Sequence, residues 1–209
     1  MSLDRLINEF DQMLRTLTHQ INTKRPLPLA KSINKTADLT ETDRKEVVRL
    51  MRVNHVGEIC AQALYQGQAM ATEDRELQQF FLKSAEEERD HLAWLKSRLD
   101  ELQGSTSVLN PVWYAGAFGL GFIAGKLSDK TSLALMAETE HQVEAHLQSH
   151  LSRLPASDTQ SQAILDQMRE EEVQHGNAAR ARGAPDLPLW ARLGMRVGAK
   201  IMTKTAYYL

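Results

Sequence analysis

Carboxylates placed in the rows that helices bury constrain this chain more than any other feature. Around "SAEEERDHLAWL" (residues 84–95), helical spacing puts Phe81, Ala85, Leu92, Leu95 and Leu99 on one face, and Glu88 falls in the same row. His91 follows three residues later on that side. A carboxylate buried without a partner is strongly unfavourable, so a fold that turns Glu88 inward must supply one. The pair recurs in "REEEVQHG" (169–176), where Glu172 and His175 share a row with Leu165, Met168 and Ala179. One such pair carries little weight in helices this rich in glutamate; two pairs, both in apolar rows, carry much more.

Each pair has a single upstream counterpart. The row Leu133, Met136, Val143, Leu147, Leu151 and Leu154 takes in Glu140, while Glu138 and Glu144 fall off it. A weaker row of Val47, Met51, Ala61 and Tyr65 takes in Glu58, within "RVNHVGE". The helix-like segments run over roughly 42–71, 74–102, 129–153 and 158–181, and little in them alternates with a period of two, so the expected class is all-α. In an antiparallel hairpin, residues at equal depth lie equidistant from the turn. Residue 73 is midway between Glu58 and Glu88, beside the capping residues Thr72 and Asp74. Residue 156 is midway between Glu140 and Glu172, beside Pro155, Ser157 and Asp158. Both hairpins therefore set a lone Glu opposite Glu-x-x-His. Packed together, they bring four carboxylates and two imidazoles to one depth, the arrangement of a ferritin-like four-helix bundle holding two metal ions. Such donors suit Fe(II) or Mn(II), and four carboxylates cancel the charge of two divalent ions. Glu88 is best explained as a metal ligand.

Composition removes several rivals. A net charge of -2 provides no basic field for nucleic acid. The lone Cys60 excludes a disulfide framework, a thiolate-held iron–sulfur cluster and a Cys-rich zinc site. The acidic residues of "MSLDRLINEFDQML" argue against a secretory signal or an Arg-rich transit peptide, and a bacterial cytoplasmic setting is the simplest expectation. Residues 2–22 form a short amphipathic helix (Leu3, Leu6, Ile7, Phe10, Leu14, Leu17, Ile21), and "TKRPLPLAKS" is a linker in which Pro26 and Pro28 stop any helix. The expected organisation is thus 1–40 as helix and linker, and 41–209 as the metal-binding domain.

Two further segments point to a lipid surface. No charged residue occurs in 102–125, yet Asn110 and Pro111 interrupt this run and leave about 14 apolar residues, about 21 Å of helix against a core of roughly 30 Å. Four glycines dilute it further. An apolar crossover dipping toward a bilayer or a lipid-lined tunnel is expected rather than a span. In the tail, Arg192, Arg196, Lys200 and Lys204 recur beside Leu189, Leu193, Val197 and Ile201, with Trp190, Tyr207 and Tyr208 near the ends. This is a basic amphipathic helix suited to anionic lipid; a packing helix with a solvated basic edge is the alternative.

"RVNHVGEICAQALYQGQ", "EEERDHLAWL", "ETEHQVEAHL", "EEEVQHG" and "KIMTKTAYYL" together resemble the demethoxyubiquinol hydroxylases of ubiquinone biosynthesis, over residues 45–209. The resemblance implies six metal ligands: Glu58, Glu88, His91, Glu140, Glu172 and His175. Glu88 and Glu172 are placed to bridge, and all four glutamates belong to the catalytic centre. It implies two iron ions per subunit, with manganese the alternative. The implied reaction hydroxylates the ring of a polyprenyl quinol, one oxygen of O₂ going to the ring and the other to water. No Gly-x-Gly-x-x-Gly follows a strand, so electrons would come from the quinol itself or from a transiently bound nicotinamide. The implied partners are the quinol, O₂ and a membrane surface, with peripheral attachment at the cytoplasmic face of a bacterial cell membrane. Assembly as a homo-oligomer or within a ubiquinone-biosynthesis complex stays open. His146 resembles a family histidine that relays protons or electrons, and an ordinary hydrogen-bonded histidine is an equal reading. His55 and Asn54 read as supporting or structural residues, Tyr65 as core packing or pocket lining, and His19, His141 and His150 as unassigned. Iron storage would use the same ligands but requires neither the apolar crossover nor the basic tail. A CxxC-bearing peroxidase is excluded by the single cysteine, and a pure membrane scaffold leaves six inward ligands unexplained.

Overall fold

The structure is a computed structural model that describes residues 3–18, 23–30 and 39–209; Ile21 and His19 lie outside these. Among the described residues there are seven helices and no strand: α1 (Leu3–Leu17), α2 (Glu41–Ala71), α3 (Arg75–Glu101), α4 (Asn110–Leu127), α5 (Asp129–Leu151), α6 (Thr159–Ala181) and α7 (Leu189–Tyr208).

Side-chain caps start the four bundle helices. Thr40 accepts from the Asp43 N–H, Asp74 from Glu76 and Leu77, Ser128 from Thr131 and Asp158 from Ser161, so each helix begins where a side-chain oxygen satisfies free amides. The turn between α2 and α3 falls on 72–74 and that between α5 and α6 on 152–158, as the midpoints predict.

α4 solves the connection problem. In the connection before α4, Gly104 lies against Val48 near the start of α2; within α4, Gly121 meets Leu64 and Gly125 meets Ala71 at the end of α2, so α4 runs parallel to α2 and, together with that connection, carries the chain the length of the bundle. α5 then returns antiparallel to α2: Gln68 donates to the Ser132 carbonyl near one end and Arg153 to Glu46 near the other. Buried Arg98 sets the register of α3 against α6, donating to Ser161 Oγ at 2.9 Å and Asp158 Oδ1 at 2.8 Å. Asn110 and Pro111 open α4, since proline is tolerated in a first turn.

Two apolar clusters fill the bundle. One contains Met51, Leu95, Leu99, Leu147, Ile164 and Met168; the other contains Tyr65, Phe81, Leu133, Met136 and Ala179. Each bundle helix passes from one cluster to the other, and the inward glutamates occupy the layer between them. Tyr65, 0% exposed, belongs to the second cluster.

No helix among the described residues is long and apolar enough to cross a membrane. α4 and α7 nevertheless turn apolar side chains outward: Val112, Leu120, Ile123 and Leu127 on α4, and Leu189, Trp190, Leu193, Val197 and Ile201 on α7. α7 packs on α2 through Met202 and Ala206, so the row that alternates with Arg196, Lys200 and Lys204 faces away from the protein. Arg192 differs from the other basic residues. It pairs with the buried Glu138 at 3.1 Å and ties α7 to α5.

Candidate metal centre

All six predicted ligands meet at mid-depth. Glu58, Glu88, Glu140 and Glu172 are at most 2% exposed, His91 is fully buried and His175 nearly so. They form two overlapping groups able to hold a metal ion: Glu58, Glu88, His91 and Glu172, and Glu88, Glu140, Glu172 and His175. Within each group, one candidate donor atom per residue lies within 4.8 Å of all the others. Glu88 and Glu172 belong to both, while Glu58 and Glu140 each belong to one.

The donor atoms are turned inward on one another. Both oxygens of Glu88, Glu140 and Glu172, Oε2 of Glu58, and Nδ1 of both histidines are buried and find no partner outside the cluster; within it His91 Nδ1 lies 2.8 Å from Glu88 Oε2 and His175 Nδ1 3.2 Å from Glu88 Oε1. Buried polar atoms are almost always satisfied, so this convergence fits a bound cation group: hard oxygen donors plus imidazole suit Fe(II) or Mn(II).

Electrostatics at the centre follow from burial and proximity. Burial, reinforced by the charge of Glu172, raises Glu58 and Glu140 well above the usual carboxylate range. Burial opposes ionisation of Glu88 and Glu172 too, but the imidazoles of His91 and His175 outweigh it and hold both below that range. The two histidines are raised, since the surrounding carboxylates overcome the desolvation that would lower them.

The sequence did not reveal what holds the imidazoles. His91 Nε2 meets Glu171 Oε2 at 2.7 Å, and His175 Nε2 meets Glu87 Oε2 at 2.7 Å. The holding is crossed: the α6 glutamate grips the α3 histidine, and the α3 glutamate grips the α6 histidine. Each outer carboxylate fixes the ring orientation that points Nδ1 inward. The signal was present, because both motifs read Glu-Glu-x-x-His and the holder is the glutamate just before the ligand. Glu87 and Glu171 also line a cleft of about 640 Å³ between α3 and α6, with His175, Gln167, Arg25 and Arg182.

Below the centre sits a second polar group. His150 Nδ1 is 2.8 Å from Asn54 Oδ1, and its ring centroid lies 3.9 Å from that of His146. Burial, with smaller contributions from Arg153 and, for His150, from the adjacent His146, lowers His146 to about 4 and His150 to about 2. Both are neutral at pH 7, and His150, unassigned from the sequence, is a buried and partnered residue. His55 is fully buried on α2, and His141 is half exposed near Glu144.

The family model described as ubiquinone biosynthesis protein COQ7 matches residues 45–206. The chain is 53% identical to the 3-demethoxyubiquinol 3-hydroxylase of Burkholderia thailandensis over 209 residues, all of both chains. It is 54% identical over the same full length to the proteins of that name from Burkholderia cenocepacia and Burkholderia multivorans. With most of the chain matched by the family model and the whole of it by these relatives, the protein belongs to the ubiquinone biosynthesis protein COQ7 family.

Proposed function

We propose that this chain is a di-iron 3-demethoxyubiquinol 3-hydroxylase, acting on a polyprenyl quinol with O₂ late in ubiquinone biosynthesis. The observation that carries the reading is the pair of overlapping four-ligand groups that share Glu88 and Glu172. Glu58, Glu88, His91 and Glu172 would hold one iron, and Glu88, Glu140, Glu172 and His175 the other. When bound, the irons would activate O₂ by passing to it electrons drawn from the quinol or from a transiently bound nicotinamide, chemistry that ordinary side chains lack.

The remaining tasks fall to the chain. The apolar clusters above and below the ligands exclude bulk water from the reacting ring. Glu87 and Glu171 hold a proton at Nε2 of His175 and His91 and keep both rings aimed inward. Neutral His146 lies one and a half turns beyond Glu140 and serves as a proton relay at the inner end of the His150–Asn54 pair. The outward apolar rows of α4 and α7, with Arg196, Lys200 and Lys204 beside them, suit an anionic lipid surface. They support peripheral attachment at the cytoplasmic face of the cell membrane, where a water-insoluble polyprenyl substrate resides.

The test is iron content and turnover on one preparation of purified chain. About two irons per chain and conversion of demethoxyubiquinol to the hydroxylated quinol, both lost in Glu88→Gln, are expected. Rapid Fe(II) oxidation without ring hydroxylation would move the function to iron oxidation and storage. No bound iron after reconstitution would overturn the metal centre.

A further inference from the structure

The two inward histidines are braced by unequal means. Glu87, the holder of His175, has Lys83 of its own helix at 3.5 Å, and both are solvent-accessible. Glu171, the holder of His91, is gripped by a residue from outside the bundle. Arg25 Nη1 donates to Glu171 Oε1 at 2.6 Å, and Gln167 donates to the same oxygen at 2.5 Å, leaving Oε2 for His91. Arg25 Nε donates to Asp90 Oδ2 at 2.6 Å, so one planar guanidinium spans α3 and α6. Its face lies 4.8 Å from the centroid of the Trp94 ring, and that ring lies 5.3 Å from His91.

Arg25 is delivered by a strap, residues 23–30, that the sequence presents as a mere linker. The Lys24 N–H donates to Asp90 Oδ1 at 2.8 Å, Leu27 packs on the apolar core, and Gln160 donates to the Pro28 carbonyl at 2.7 Å. The strap lies outside the residues that the family model matches. Glu171 borders the open cleft, where a carboxylate lacking Arg25 would be free to turn toward water and release the imidazole.

We propose that Arg25 is a positioning residue for one metal position: through Glu171 it fixes His91, and so tunes the site built from Glu58, Glu88, His91 and Glu172 without affecting the site that contains His175. This rests on reading the six inward residues as metal ligands. Loss of an outer partner of a ligating histidine typically weakens metal binding about 10- to 100-fold, and Arg25 acts one bond further out. The expected loss for Arg25→Gln is therefore about tenfold, confined to one of two ions.

The experiment is an anaerobic Co(II) titration of the metal-free full chain, followed by the visible bands of the bound ion. Wild type should show two binding events. Arg25→Gln should weaken one and leave the other unchanged, Arg25→Lys should recover part of the loss, and Glu87→Gln should weaken the opposite event. The double variant Arg25→Gln/Glu87→Gln should weaken both events. Unchanged affinities in Arg25→Gln would overturn the proposal, and so would an equal loss in both events, which would mark Arg25 as a general brace. Failure of wild type itself to bind two Co(II) would instead overturn the metal-centre reading on which the proposal stands.

Discussion

Gly121→Ala should destabilise this protein, and Gly116→Ala on the same helix should stabilise it. A Cβ added at Gly121 would sit 2.1 Å from the Leu64 carbonyl oxygen and 2.9 Å from its carbon. Both are backbone atoms of α2 and cannot rotate away, so α4 must withdraw by about 1 Å, a gap that forfeits a quarter to a half of each dispersion contact across the interface. Gly67 and Gly125 approach the facing helix with similar closeness, so the strain cannot be relieved by a local tilt. Overpacking of this kind costs about 1–3 kcal/mol, and immovable atoms place it near 3. For a chain of this size that lowers the melting temperature by about 6–12 °C. At Gly116 an added Cβ meets nothing within 4 Å, and replacing a helix-interior glycine gains up to about 1 kcal/mol, a rise of about 2–4 °C. Calorimetry of metal-free protein measures both. Shifts of the same sign, or a Gly121→Ala protein that melts with wild type, would refute the close-packing argument.

Three other outcomes follow from the site and its surroundings. Because Glu88 and Glu172 serve both ligand groups while Glu58 serves one, Glu58→Gln should lower the Co(II) stoichiometry by one ion and Glu172→Gln should abolish tight binding; equal losses would contradict the shared arrangement. His150, held at about 2 by burial, stays neutral in the fold while the unfolded chain takes up a proton below about pH 6.5, so stability falls on acidification by up to about 1.4 kcal/mol per pH unit from this group. Urea melts between pH 6.5 and 4 should give a shallower slope for His150→Gln than for wild type, and parallel slopes would refute the assignment. Reversing Arg196, Lys200 and Lys204 to Glu should weaken binding to anionic vesicles by at least about 100-fold, at about 1 kcal/mol for each lost cation, with no change on neutral vesicles. Arg192 is unsuitable for that test, since its reversal would set a carboxylate against buried Glu138.

Much of this architecture was legible because helical periodicity records which face is buried. Every residue of the row Phe81, Ala85, Glu88, Leu92, Leu95 and Leu99 is buried, and so is every residue of the row around Glu172. The turn positions were legible because equal depth in a hairpin is arithmetic on residue numbers. What escaped was contact between elements far apart in sequence. The glycines of the crossover look like dilution of an apolar run, yet Gly121 and Gly125 bring the backbone of α4 against α2. Arg25 sits in a Pro-broken segment whose docking depends on Asp90 and Glu171, 65 and 146 residues away. No local pattern marks such a partner. His150 fell outside every motif, and only its neighbours Asn54 and His146 give it a place.

The crossed grip on the histidines explains how so costly a layer can sit in a core. Four inward carboxylates repel one another and favour separation of the hairpins, a tendency that the apolar clusters on either side must resist. Had each glutamate braced the histidine of its own helix, the brace would contribute nothing against that separation. Glu87 and Glu171 instead reach across from α3 to α6 and from α6 to α3, and Arg98 adds a third crossing to Asp158 and Ser161. Each bond that aims an imidazole therefore also holds the hairpins together. Preorganisation of the ligands and cohesion of the bundle are supplied by the same side chains, so loosening α3 from α6 must disturb the two histidines before it opens the apolar core.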